Sequence, residues 1–211
     1  MEQKSLKEQV YSSILEDIIS LEYRPGQILN EKQLIEKYDC SKSPVREALM
    51  ALCAEGVLRS IPRYGYEVIR LTKDDIYEMI HFRCILEGGF LHEICGRITE
   101  QQIQHLEKLD EKCRAANRDV WEHWEYNTEF HMSLLGYAGN TYASEELERC
   151  MSRMKRAYAQ AYWDKTDPEL AFDTRHHAQI IAAIRKNDAE EARKLLVDDL
   201  YDFGGENFLT R

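Results

Sequence analysis

The sequence predicts a mainly α-helical chain in two parts: a winged helix-turn-helix over residues 1–71, then an all-α bundle of six helices over 72–211. Three observations lead there. The first 70 residues carry short helical stripes separated by turn signals, and they end in two short extended runs around a Pro62–Gly65 turn. From Thr72 onward every apolar pattern has the helical period. The charge is also divided: residues 1–70 hold 10 Lys and Arg against 11 Asp and Glu, a net of −1, and the remainder holds 18 against 27, a net of −9.

Each element has its own signal. Val10, Ile14, Leu15, Ile18 and Ile19 form a stripe that predicts a first helix from about Ser5 to Leu21, broken by Pro25-Gly26. "NEKQLIEKY" restarts with Asn30 as N-cap and Gln33 at the third helical position, a capping-box pattern. In "SKSPVREALMALCAEG" Ser43 reads as N-cap and Pro44 as the first helical residue; Gly56 stops the helix. Val57–Ser60 and Tyr66–Arg70 read as two strands. Beyond them, helices are expected near 73–96, 100–115, 119–138, 142–164, 168–186 and 189–203. Their starts are marked by Thr72 with Asp75, Thr99 with Gln102, Asp167-Pro168, and Asp188 with Glu191.

The bulk numbers limit the function classes. At 44% hydrophobic and 31% charged residues, the 211-residue chain reads as soluble and globular. The N-terminus has no signal-peptide pattern and no apolar run is long enough to span a bilayer, so a cytoplasmic protein is expected. The six cysteines form no C-x-x-C pair and read as small buried apolar residues. The acidic second part is unsuited to nucleic acid; the first part suits DNA if its basic residues share one face.

A recognition helix needs donors near its N-terminus. Ser41, Lys42, Ser43 and Arg46 supply them: Lys42 and Arg46 can donate to phosphates or guanine, and the serines and free backbone N–H groups suit phosphate. Lys32 points toward the same DNA backbone, and the turn Arg63-Tyr64-Gly65 suits an adjacent minor groove, where Gly permits close approach. By charge alone this does not separate a DNA reader from three small surface helices. The residue pattern is more specific. The run "PGQILNEKQLIEKYDCSKSPVREALMALCAEGVLRSIPRYGYEV" closely resembles the N-terminal domain of GntR-type bacterial transcription regulators, matching at Pro25-Gly26, Leu29, Leu34, Ser41, Ser43 to Leu49, Gly56-Val57-Leu58 and Gly65. The resemblance implies DNA contacts at Lys32, Ser41, Lys42, Ser43, Arg46, Tyr64 and Gly65. Lys32 and Lys42 stand where the family often has Arg, whose bidentate fork Lys does not reproduce.

The second part carries polar residues on apolar stripes. Arg83 and Glu87 ride with Ile76, Met79, Ile80 and Leu91; Asn127 and His131 ride with Trp124, Leu134 and Leu135; His177 precedes Ile180, Ile181 and Ile184; Asp199 lies among Ala192, Leu195, Leu196 and Phe203. Unpartnered burial would cost a few kcal/mol each, about 2–7 by transfer measurements. Two histidines, a carboxylate and an amide from three helices suit a divalent transition metal; the competing reading is a buried hydrogen-bond network without metal. Helical spacing alone does not choose between His176 and His177.

These stretches, "FRCILEGGFL", "NTEFHMSLLGYAGN" and "HAQIIAAIRKNDAEEARKLLVDDL", look like the FCD effector domain of the FadR subfamily of GntR regulators. The resemblance implies metal ligands at Asn127, His131, His177 and Asp199, with Asn and Asp standing where the family usually has Asp and His. It selects His177 as the inward ligand and leaves His176 at the pocket rim. Zinc, nickel or manganese are the metals to expect. Arg83, with Glu87 and His176, is then a candidate to bind a small carboxylate effector, though Arg83 paired with Glu87 is an equal alternative. The whole reading is a cytoplasmic homodimeric regulator, a repressor in the family's usual mode, that binds a palindromic operator. Two competing readings are a metal-dependent hydrolase or isomerase using the His/Asp cluster, and a regulator for which the metal itself is the signal. Arg153 and Arg156 are expected nearer the solvent side of their helix.

Overall fold

The structure, a computed structural model, describes residues 5–116, 120–162 and 175–202. The chain divides into two compact units: residues 1–72 together with 153–166, and 73–152 together with 167–211.

In the first unit α1 (Leu6–Ile19) starts at a complete capping box, Ser5 with Glu8. Its buried Val10, Ile14 and Ile18 pack with Ala48, Leu49 and Leu52 of α3 (Lys42–Ala54). Between them lie β1 (Ile28–Leu29) and α2 (Glu31–Lys37). Asn30 caps α2 as expected, but its side chain accepts from Lys32 N at 2.9 Å, the second helical position and not Gln33. Helix α3 begins earlier than its sequence signal: Ser41 is the N-cap, and Ser43 and Pro44 lie inside the first turn. Proline is tolerated there because the first four helical N–H groups have no intrahelical partner anyway. Gly56 follows the last turn at φ +63°, the left-handed stop that favours glycine.

The wing is β2 (Leu58–Ile61) and β3 (Gly65–Val68), antiparallel from Leu58↔Val68 to Ile61↔Gly65. Strand β1 completes a sheet of order β1-β3-β2. A two-residue strand offers no period to read, so sequence reasoning did not find it.

The second unit comprises α4 (Lys73–Ile94) with a short 3₁₀ turn (Cys95–Arg97), α5 (Glu100–Ala115), α6 (Val120–Gly136), the first part of α7 (Thr141–Tyr162), α8 (Arg175–Arg185) and α9 (Ala189–Tyr201). The Thr99–Gln102 capping box forms in full, and Asp188 caps Glu191 N. Helix α4 packs on α9 and α6, α5 on α6 and α8, and α8 on α9. The expected helix starts at 119 and at Asp167-Pro168, and Phe203 of the last stripe, lie outside the described residues. Among the described residues no helix is long and apolar enough to cross a membrane.

Arg156 corrects an expectation. It is buried, not solvent-facing, and its Nη1 donates to Gly56 O at 3.1 Å within the first unit. Beside it Gln160 clamps the backbone after the wing, donating to Ile69 O at 3.0 Å and accepting from Leu71 N at 2.8 Å. The stripe Leu147, Met151, Met154 and Tyr158 is buried as read, but Ala157 and Ala159 are buried too. The end of α7 is thus enclosed on more than one face, which a single-stripe reading does not reveal.

Candidate functional site

The first candidate is a surface on the first unit. Ser41, Lys42, Ser43 and Arg46 stand exposed on the N-terminal turns of α3, and Lys32 is exposed on α2. Tyr64, at the wing tip, is 71% exposed. Lys32, Lys42, Arg63, Tyr64 and Gly65 line one open groove of about 570 Å³ between helices and wing. Glu31, which the sequence reading missed, faces Arg46: Arg46 Nε donates to Oε1 at 3.0 Å, and Tyr66 OH donates to the same oxygen at 3.3 Å. Ser43 Oγ donates to Glu47 Oε1 at 2.9 Å. Gly65 has a structural cause as well. Its φ is +137°, and a Cβ there would lie 2.3 Å from Leu29 O, so the close approach is to β1. An anionic backbone laid in this groove would meet Lys and Arg donors, and Arg46 could exchange Glu31 for it.

The second candidate is a buried polar cluster in the second unit. Four helices contribute. His131 (α6) places Nε2 3.2 Å from Asp199 Oδ2 (α9), and His177 Nε2 (α8) lies 3.8 Å from Asp199 Oδ1. One ligand atom from each of His131, His177 and Asp199 can be chosen so that all lie within 4.8 Å of one another. His131 Nδ1 contacts Glu87 Oε2 (α4) at 2.7 Å, and Arg83 Nε donates to Glu87 Oε1 at 2.6 Å. Asn127 is buried one turn before His131 on α6. His176 turns elsewhere, with Nε2 3.5 Å from Asp202 Oδ2.

Electrostatics sort the roles. Burial pushes His177 down to about 4, so its imidazole is neutral at physiological pH. Burial alone would raise Asp199, but His177 and His131 hold it below the usual carboxylate range. Burial would likewise lower His131, but Glu87 and Asp199 together raise the group. The donor set fits a divalent metal on one observation in particular. Both ring nitrogens of His177 are buried without a hydrogen bond, an arrangement that native interiors avoid unless something else fills the position. A neutral imidazole and an ionised carboxylate are the forms a metal takes up; His131 would release its Nε2 proton on binding.

Two further residues were missed. Asp110 on α5 is buried, and His123 on α6 is buried with Nδ1 3.0 Å from Cys113 O. Both carried the signal already used elsewhere: Asp110 lies among Ile103, Leu106 and Cys113, and His123 is one turn before Asn127.

Comparison with known proteins gives a consistent result. The model of the FCD domain matches residues 76–201, and that of bacterial regulatory proteins of the gntR family matches residues 6–68. The uncharacterized HTH-type transcriptional regulator YdhC of Bacillus subtilis is 26% identical over 88% of this chain and 84% of its own. The HTH-type transcriptional repressor RspR of Escherichia coli is 24% identical over 93% and 86%. Among solved structures, E. coli McbR/YncC shares the fold with a TM-score of 0.73 at 24% identity, covering 95% of each chain.

Proposed function

Because the chain belongs to the GntR family of bacterial regulatory proteins and carries an FCD domain, we propose that it is a cytoplasmic, homodimeric repressor whose DNA affinity is set by a small carboxylate bound beside a divalent metal. DNA recognition falls to residues 1–71, through Lys32, Ser41, Lys42, Ser43, Arg46, Tyr64 and Gly65. Metal and effector fall to residues 72–211. His131, His177 and Asp199 hold the ion, with Asn127 as a fourth, weaker oxygen ligand. A metal there supplies an open coordination position for a carboxylate. Arg83 anchors that carboxylate, with Glu87 as its internal partner and His176 at the rim. The relatives are named transcriptional regulators, so the hydrolase or isomerase reading is set aside. The repressor reading is supported by RspR, a named repressor. A palindromic operator follows from two-fold symmetry in a dimer.

The observation that carries the effector reading is the buried, unpartnered His177 between two carboxylates. The experiment is fluorescence anisotropy on a selected operator, using protein stripped with chelator. Zinc, nickel or manganese is added first, then small di- and tricarboxylates. Release of DNA by a carboxylate only after metal loading supports the proposal. A response to metal alone favours a metal sensor, and no response to either removes the effector reading.

A further inference from the structure

Both cluster histidines turn Nε2 toward Asp199 and Nδ1 toward a carboxylate on another helix. For His131 the partner is Glu87, at 2.7 Å. For His177 it is Asp110, whose Oδ1 lies 3.7 Å from Nδ1. Asp110 Oδ1 and His177 Nδ1 are both buried without a hydrogen bond. They face each other across a gap roughly 0.5–1 Å longer than an N–H···O contact. The other Asp110 oxygen is engaged, since Arg114 Nη2 reaches Oδ2 at 3.0 Å from the solvent side. Phe130 stacks on the His177 ring at 3.8 Å between centroids and 9° between planes. The stack fixes the plane of the ring but not which of its edges faces α5.

We propose that Asp110 is the positioning carboxylate of His177. Its Oδ1 accepts the Nδ1–H, selects that tautomer and leaves the Nε2 lone pair aimed at Asp199. Arg114 holds the carboxylate in place through Oδ2. The site is then built twice on one plan, with Glu87 behind His131 and Asp110 behind His177. Outer carboxylates of this kind orient a ligating imidazole and raise its basicity. The inference rests on reading His131, His177 and Asp199 as a metal site, but it concerns a residue outside that set.

Two readouts test it on the full-length chain. In metal-free protein, ¹⁵N-resolved imidazole NMR is expected to show His177 as the Nδ1–H tautomer, with Asp110→Ala losing it and Asp110→Asn, which keeps an accepting oxygen, retaining it. In competition titrations with Zn(II), Asp110→Ala is expected to bind about 10–100-fold more weakly than wild type, with Asp110→Asn between. An unchanged tautomer in Asp110→Ala, or Zn(II) affinity within about twofold of wild type, overturns the proposal. If wild type takes up no Zn(II) the metal reading fails, and the tautomer measurement alone decides the role of Asp110.

Discussion

Glu87 Oε2 lies 2.7 Å from His131 Nδ1, with both side chains shut off from solvent. The other Glu87 oxygen holds Arg83, also buried. Burial would raise the Glu87 carboxyl, yet Arg83 and His131 hold it below its ordinary value. Removing this carboxylate takes a buried negative charge away from both Arg83 and His131. Glu87→Ala is therefore expected to cost about 3–5 kcal/mol in denaturant unfolding, and Glu87→Gln less. A loss below about 1 kcal/mol would mean the Arg83–Glu87–His131 chain is not formed as described.

The proposed DNA surface can be tested at Arg46 and Lys32. Arg46 is poised between Glu31 and the exterior. Arg46→Ala should weaken operator binding by about 1–3 kcal/mol and relax sequence preference. Lys32→Ala should weaken all sequences alike and lower the salt slope by about 1. Anisotropy titrations over a range of salt separate the two behaviours.

At the wing, Gly65→Ala places a methyl against Leu29 O in a backbone region that L residues rarely adopt. A loss of about 1–3 kcal/mol in stability is expected, with the wing displaced even where the chain still folds. Stability and operator affinity should fall together. A neutral outcome would contradict the β1–β3 register.

Burial, with Asp110, Asp199 and Glu129 adding, pushes the Cys113 thiol up to about 12. The thiolate is the reactive form, and raising this pKa keeps the group protonated at all ordinary pH. In native protein iodoacetamide should label the half-buried Cys40 and Cys53 but not Cys113, between about pH 7 and about pH 9. Mass spectrometry reads this directly. Labelling of Cys113 as fast as Cys53 would contradict the packing of α5.

If the cluster holds a metal, ions present at 100 times their dissociation constant stabilise the fold by about 2.7 kcal/mol. For a chain of this size that raises Tm by about 2–4 °C per kcal/mol. Chelator should remove the increment, and His177→Ala should abolish it together with the response of operator binding to carboxylate.

Much of this architecture is legible in the sequence because its signals are local. The Thr99–Gln102 box, the Asp188 cap and the Gly56 stop each involve residues within one turn. What escaped depends on distant parts of the chain. Strand β1 exists because β3 pairs with it. Arg156 is buried because the end of α7 meets Gly56, a hundred positions earlier. For the buried cluster, spacing brought Asn127, His131 and Asp199 to attention, but the choice of His177 over His176 needed the family register. The structure separates the two by their surroundings: His177 lies against Phe130 and toward Asp110 and Asp199, and His176 toward Asp202. Asp110 shows the opposite failure. Its signal was present, but one carboxylate on an apolar stripe means little until its partner is known.

On the proposed function, the chain reads DNA through the start of α3 and the wing. Selection from random-sequence duplexes with purified protein tests it most directly. Wild type is expected to enrich an inverted repeat, and Arg46→Ala to enrich it more weakly and with relaxed preference. Enrichment of no sequence by wild type, or of the same repeat with equal affinity by Arg46→Ala, would contradict it.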